Sequence, residues 1–410
     1  MTGAALYKAT IAYERALAQK RATLQRQLDS LPEAKTWLPK FFRVEKAISK
    51  YWPLHWPLVE AQLTVCTSLL LENVTQSTAL FAIGPSGSGK STTLKMFRVP
   101  ERAQLIHAQM KTTPLVDEQD DFSIPAFLSH YSELERGELE AGALAFTLKH
   151  RVMLTSELGP IFRGNREALE HRFTKLAQIL DGEGIRSSSG VHGTLGQKGD
   201  FTFVWLGGTT PFRMETWKTM ASLGTRLLFF TTNIRADTCP EELFAVAQAE
   251  CQEAIADFLT EMFSQVKKRS VKWPDVAPVR MKIRQLAELC AIGQAQEGGP
   301  EDDPFKPSPG HFRQRLMQLA CAHAILLGRK ALSEEDLPML RHITMSSMPS
   351  SRGPILLLLM QGASTAVELS GLSGLSEAFV RKVLDRLGRA GVLRKKIALP
   401  ADRWEIVWDR

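Results

Sequence analysis

Apolar and polar positions follow two rhythms along this chain. Between about residues 51 and 235, apolar runs of strand length recur at Leu80 to Ile83, Leu105 to Ala108, Val152 to Leu154, Phe201 to Leu206 and Leu227 to Phe230, with helically spaced stretches between them. Continuous apolar runs bounded by turn residues mark strands buried on both faces. Their alternation with helices predicts an α/β fold with a parallel sheet covered by helices. Leu115-Val116-Asp117-Glu118, after Pro114, is too short an apolar run for a strand and reads as a solvated loop.

The flanks carry the helical rhythm alone. Residues 1 to 50 place Leu6, Tyr13, Leu17, Leu24 and Leu28 among Lys, Arg and Gln, with turn residues expected around Pro32 and then Pro39. A docking arm and a packed helical hairpin both fit that pattern. Residues 236 to 345 read as all helix, broken by a Gly/Pro/Asp-rich linker from Glu297 to Gly310. Behind a second linker, Ser346 to Gly353, lies a small unit over 353–410. Helices are expected from Ile355, Thr365 and Ser376, the last with an apolar stripe of Val380, Val383, Leu384 and Leu387. Two strands then run from Gly391 to Lys396 and from Trp404 to Trp408, an order that resembles a winged helix.

Composition narrows the setting. With 410 residues the chain has room for two or three domains, and 44% hydrophobic with 23% charged residues is ordinary for a globular protein. No apolar run approaches the ~20 residues of a membrane span, and the first twenty residues are amphipathic and charged rather than signal-like. Five scattered cysteines with no CxxC indicate neither a disulfide framework nor a zinc site. A cytoplasmic protein with no membrane partner is expected. The net charge of +7 favours a polyanionic partner, depending on where the charge sits.

The sharpest chemical signal is Gly84-Pro85-Ser86-Gly87-Ser88-Gly89-Lys90-Ser91, followed by Thr92, between an apolar run and a helix-like stretch. Glycines at this spacing let successive backbone N–H groups curl around a β-phosphate. Lys90 then reaches the β/γ oxygens and Ser91 takes a place on Mg²⁺. The expected ligands are ATP and Mg²⁺.

Further along, Arg151 to Leu154 is an apolar strand followed by Thr155, Ser156 and Glu157. Glu157 stands where a carboxylate polarises the attacking water, and Ser156 where an Asp normally supports the metal. The run Phe201 to Leu206 leads into Gly207-Gly208-Thr209-Thr210-Pro211, polar residues at the carboxyl end of a strand, the edge where ligands sit in an open α/β sheet. Thr209 or Thr210 is placed to orient water beside the γ-phosphate; a turn or cap is the other reading. Arg226, before the last strand, suits either a finger reaching a neighbouring subunit's nucleotide or a surface ion pair.

In this order the parts resemble an AAA+ ATPase, most similar to the branch of minichromosome-maintenance helicases and their relatives on phages and mobile elements. The phosphate loop, the segment from Ala177 to Ile185 before the sensor-like strand, and Leu316 to Ala324 with Leu332 to Leu337 carry that resemblance over about residues 55–345. It implies a P-loop core over 51–235, a helical lid over 236–345, a homo-oligomeric ring and action on DNA. Catalytic roles then fall on Glu157, Thr210, Arg226 and Arg313. Ser156 departs from the usual acid, Thr210 from the usual sensor Asn, and His311 from the lid Arg, for which Arg313 substitutes. The roughly fifty residues before the core are expected to leave no room for the oligonucleotide-binding domain of the large replicative helicases.

Two basic features are candidates for nucleic acid. The insertion from Glu183 to Asp200 carries Arg186, His192 and Lys198 among Ser and Gly, and a ring would project it toward the axis. In the C-terminal unit, Arg381, Lys382, Arg386, Lys395 and Lys396 are candidate phosphate contacts. Winged helices also dock proteins, so a partner protein there, or on the N-terminal arm, is the other reading. A helicase or translocase, a non-motor switch that recruits an enzyme to DNA, and a nucleotide-binding scaffold without turnover all fit this set of motifs.

Overall fold

Five strands, four of them with apolar runs, pair in parallel, and their order decides where the phosphate loop sits. The computed structural model describes residues 34–110, 114–119, 147–182, 184–189, 193–198, 201–222, 224–232, 239–277, 279–297, 303–397 and 401–407, with backbone alone for 34, 35, 110, 184–189 and 193–198. The N-terminal arm before residue 34, His192 and Trp408 lie outside the described residues.

β1 (Thr78–Ile83), β2 (Val116–Glu118), β3 (Val152–Thr155), β6 (Val204–Thr209) and β7 (Leu227–Thr231) form one sheet in the order β2-β3-β6-β1-β7. β4 (Gly184–Ser189) and β5 (Gly193–Lys198) make a separate antiparallel hairpin. β1 is paired on both sides: Thr78 pairs with Val204 and Ile83 with Thr209 on β6, Ala79 with Leu227 and Ile83 with Thr231 on β7. All six β1 residues are buried, as a strand covered on both faces requires.

The period of two assigns each strand residue to one of two cores. Leu80, Ala82, Val152, Leu154, Val204, Leu206, Leu228 and Phe230 face one side, with helices α1 (Ala34–Tyr51), α2 (Trp56–Thr67) and α7 (Phe244–Gln265). Phe81, Met153, Trp205 and Phe229 face the other, under α5 (Arg166–Leu180) and α6 (Met214–Ser222). There Phe81 meets Trp205 edge to face at 4.9 Å, and Trp205 Nε1 donates to Thr155 Oγ1 at 3.0 Å. The indole N–H is thereby satisfied inside an apolar layer, as burial of a Trp demands.

Three expectations are corrected. Leu105 to Ala108 is not a strand: it lies within helix α4 (Glu101–Met110), which follows the short α3 (Lys90–Lys95), and Leu105 is 66% exposed on an outer face. Leu115 to Glu118 is not a free loop, because Val116–Glu118 pairs with Val152, Met153 and Leu154 as the edge strand β2. A three-residue edge strand needs no long apolar run, since only one of its flanks is paired. Pro39 does not end a helix, for it sits inside α1 with its ring exposed. Its fixed φ is compatible with the helix, which continues through it despite the lost N–H and the crowding of its ring against the preceding turn.

The remaining helices close the molecule. α8 (Arg280–Gln294), α9 (Gly310–Leu326) and α10 (Leu337–Ser346) follow α7. The N-terminal half of α9 lies against the amino-terminal edge of the sheet: Arg315 donates to Gln76 Oε1 at 2.7 Å, and Gln318 Nε2 to Thr78 Oγ1 at 2.9 Å. The C-terminal unit contains α11 (Arg352–Met360), α12 (Ala366–Ser373), α13 (Glu377–Arg389) and the antiparallel ribbon of β8 (Leu393–Lys396) and β9 (Arg403–Ile406). Thr365 and Glu368 form a capping box at α12, and the expected stripe Val380, Val383, Leu384 and Leu387 is the buried face of α13. Arg352 fastens the unit to the body by donating to the carbonyls of Gly293 and Ala295 at the end of α8.

Candidate functional site

All five strands of the main sheet are parallel, so their carboxyl ends share one edge, and β6 stands between β1 and β3. The loops leaving β1, β3 and β6 therefore meet. They enclose a cavity of about 290 Å³ lined by Ser86, Gly87, Ser88, Gly89, Lys90, Ser91, Thr92, Glu157, Thr210 and His55. The loop residues, Glu157 and Thr210 singled out from sequence come together here; His55 was not foreseen.

The loop is held by both neighbours of β1. Gly84 N–H donates to Thr209 O at 3.2 Å, Thr232 N–H to Ile83 O at 2.9 Å, and Thr232 Oγ1 to Ser88 O at 3.1 Å. Gly84 passes so close that a Cβ there would fall 2.3 Å from Thr232 O. Gly87 and Gly89 adopt φ of 75° and 77°, the left-handed region where a side chain is strained.

Lys90 is 7% exposed, and its ammonium donates to Gly84 O at 2.8 Å, Pro85 O at 2.6 Å and Ser88 Oγ at 3.3 Å. Burial pushes its pKa below the ordinary lysine value, and the Glu157 carboxylate partly offsets that push. A cation folded into carbonyl oxygens, under a loop without side chains at Gly87 and Gly89, is a cradle suited to a polyphosphate. Ser91, the second residue of α3, is the side chain positioned to ligate an accompanying Mg²⁺. Glu157 is fixed by accepting the Gly159 N–H at 2.8 Å, which leaves its second carboxylate oxygen for a water.

His55 comes from the three-residue turn Pro53–His55 between α1 and α2. It is 2% exposed, and its ring fills the space beside Gly89. A histidine between two proline turns matches no phosphate-site motif, so nothing in the sequence points to it. Thr232, the brace of the loop, was missed for the same reason.

Arg226 and Arg313 lie elsewhere. Arg226 immediately precedes β7, at the amino-terminal edge of the sheet, opposite the loop. Its Nε donates to both carboxylate oxygens of Asp181, at 3.0 and 2.9 Å, and its Nη2 lies 2.9 Å from Asp181 Oδ2. The fully buried Arg315 approaches the same carboxylate at 3.6 Å. His311 Nε2 is 3.5 Å from Arg226, and both burial and that guanidinium keep the imidazole below its ordinary pKa. Arg313 is exposed in the first turn of α9, also away from the cavity.

The candidate nucleic-acid residues divide similarly. Arg186 and Lys198 fall on the β4–β5 hairpin, opposite Gly196 and Gly184 respectively. In the C-terminal unit most of the positive charge is matched by acids, within the unit or, for Arg386, on the body beyond α8. Arg381 pairs with Glu377 at 2.6 Å, Arg386 with Glu297 at 3.5 Å, Lys395 with Asp402 at 2.7 Å and Lys396 with Glu405 at 2.6 Å. Lys382 makes no ion pair among the described residues. No helix among the described residues is long and apolar enough to cross a membrane.

No protein-family model matches the chain, and no curated protein matches it significantly.

Proposed function

We propose that the protein is an ATP-hydrolysing AAA+ enzyme that acts on DNA, assembled as a ring or partial ring. The observation that carries this reading is the convergence of Lys90, Glu157 and Thr210 on one cavity from the carboxyl ends of three parallel strands. The loop backbone and Lys90 hold the β- and γ-phosphates, Glu157 orients and polarises the attacking water, and Thr210 contacts the γ-phosphate. Mg²⁺, held through Ser91, supplies charge neutralisation of the phosphates when bound. Arg226 and Arg313 face away from their own loop, so their proposed roles require the loop of a second copy. The helices over 236–345 serve as the lid and the C-terminal unit as a winged helix.

One observation favours a second reading, a non-motor switch that recruits a partner enzyme to DNA. The ion pairs of Arg381, Lys395 and Lys396 within the unit, and of Arg386 with Glu297 of the body, suit a protein-docking winged helix better than a phosphate-binding one. ATP turnover, measured alone and with single- and double-stranded DNA, tests the main reading. Absence of turnover under all three conditions overturns it in favour of a nucleotide-binding scaffold. Turnover stimulated by DNA without translocation along a single strand selects the switch.

A further inference from the structure

Two segments separated by more than a hundred residues build a surface rich in positive charge at the amino-terminal edge of the sheet. Lys149, His150 and Arg151 enter β3; Lys267, Lys268, Arg269 and Lys272 follow α7. Neither segment contains an acid. They are joined where Lys268 Nζ donates to His150 O at 2.8 Å. Burial first, and repulsion from Arg151 second, push the Lys268 ammonium below its ordinary pKa. Lys267 and Lys272 are exposed and Arg151 half-buried, and none of the three makes an ion pair among the described residues. The nearby Glu72 is engaged through its backbone, to Val271 O and Trp273 Nε1, and makes no ion pair there either.

Two further observations set this surface apart from ordinary solvated lysines. All three described non-glycine residues with positive φ, Asn73 at 54°, His150 at 57° and Arg269 at 59°, lie in or beside it. Such backbone persists only where surrounding contacts impose it. Here Arg269 N–H is held by Leu69 O at 3.0 Å, and Arg269 Nη2 donates to Val74 O at 3.2 Å. The surface also adjoins the root of the β4–β5 hairpin, since His150 N–H donates to Thr202 O at 2.8 Å, just beyond Lys198. Unpaired cations held close together repel one another, and an anion of repeating charge that covers them relieves that repulsion.

We propose that Arg151, Lys267, Lys268 and Lys272 form a docking surface for the phosphodiester backbone of double-stranded DNA, separate from the C-terminal unit. The inference rests on the DNA-acting reading and assigns its main anchor. A phosphate backbone fits better than an anionic membrane because, among the described residues, the surface offers no large exposed apolar side chain to insert: Val271 and Trp273 pack inward against the core. Contacts of this kind read charge and not sequence.

The test is a titration of the full chain into a fluorescein-labelled duplex of random sequence, by anisotropy, over a range of salt concentrations. A triple variant, Arg151→Gln, Lys267→Gln and Lys272→Gln, is compared with Lys382→Gln, Lys395→Gln and Lys396→Gln. Lys268 is left intact because it satisfies the His150 carbonyl. The first variant is expected to lose at least ~10-fold in affinity, with the slope of log K against log salt reduced by about 2.7, as three lost phosphate contacts require. The second is expected to bind within about twofold of the parent, and an unchanged Tm identifies a folded variant. Parent-like binding by a folded first variant, with the duplex still bound by the parent, overturns the docking surface and leaves the DNA reading standing. Failure of the parent to bind DNA overturns both, and capture of phosphatidylserine vesicles in place of DNA overturns the choice of partner.

Discussion

The imidazole of His55 and the backbone of Gly89 occupy adjoining space, such that a Cβ built on Gly89 would fall 1.7 Å from His55 Nε2. The loop that cradles phosphate is thus shaped from outside by a side chain on a turn before the sheet begins.

Gly89→Ala therefore meets two obstacles, the left-handed φ of 77° and the His55 ring. Nucleotide affinity is expected to fall at least ~10-fold, with a stability loss of about 1–3 kcal/mol from the backbone strain. Adding His55→Ala removes the collision but not the φ penalty, so only partial recovery is expected. Binding of a fluorescent ATP analogue and chemical denaturation measure both; parent-like affinity in Gly89→Ala would refute the constraint.

Lys90→Ala removes the cation folded into the loop, and Glu157→Gln the carboxylate beside it. The first is expected to abolish nucleotide binding or turnover. The second should retain binding and lose turnover by ~10² or more, the usual cost of removing a group that positions and polarises water. A Glu157→Gln protein with normal turnover, alongside loss in Asp117→Asn or Glu118→Gln, would move the acid to β2.

Arg226 and the phosphate loop lie at opposite edges of one sheet, which makes complementation the decisive measurement for Arg226. Arg226→Ala and Lys90→Ala proteins are each expected to be inactive and to recover partial turnover when mixed, because some interfaces then pair an intact loop with an intact arginine. No recovery in a mixture shown by light scattering to co-assemble would leave Arg226 as the structural partner of Asp181.

The buried cluster of His323, Asp336, Arg329 and Glu60 predicts a pH dependence of stability. His323 Nδ1 lies 2.6 Å from Asp336 Oδ1 and its Nε2 lies 3.4 Å from Glu60 Oε1, while Arg329 Nη1 donates to Asp336 Oδ2 at 3.0 Å. Burial opposes the imidazolium, but the two carboxylates outweigh it and raise the His323 pKa above its ordinary 6.5. That contribution is complete below 6.5 and is lost as pH rises through the folded-state value. Asp336 is depressed below 3.8 despite its burial, so its contribution is lost as pH falls below that ordinary value. Urea unfolding across pH should show stability declining on the alkaline side of 6.5, with a flatter profile in His323→Gln. Asp336→Ala, which leaves Arg329 buried and uncompensated, should cost about 3–5 kcal/mol at neutral pH.

The phosphate loop, four of the main strands and the helices of the C-terminal unit were legible because each is local. Gly84 to Ser91 is a contiguous motif, Leu80 to Ile83 and Leu227 to Phe230 are continuous apolar runs, and Val380 to Leu387 repeats at helical spacing. Leu105 to Ala108 misled because a short apolar tetrapeptide has no period long enough to separate a strand from an exposed helical turn. Val116–Glu118 was missed because an edge strand is made by its partner Val152–Leu154, not by its own hydrophobicity. Placement was decided by the tertiary structure alone. Strand order brings Glu157 and Thr210 to Lys90 and sends Arg226 to the far edge, while chain return joins Arg151 to Lys268 and seats His55 beside Gly89. Those are pairings between residues distant in the chain, and no local period encodes a distance across a sheet.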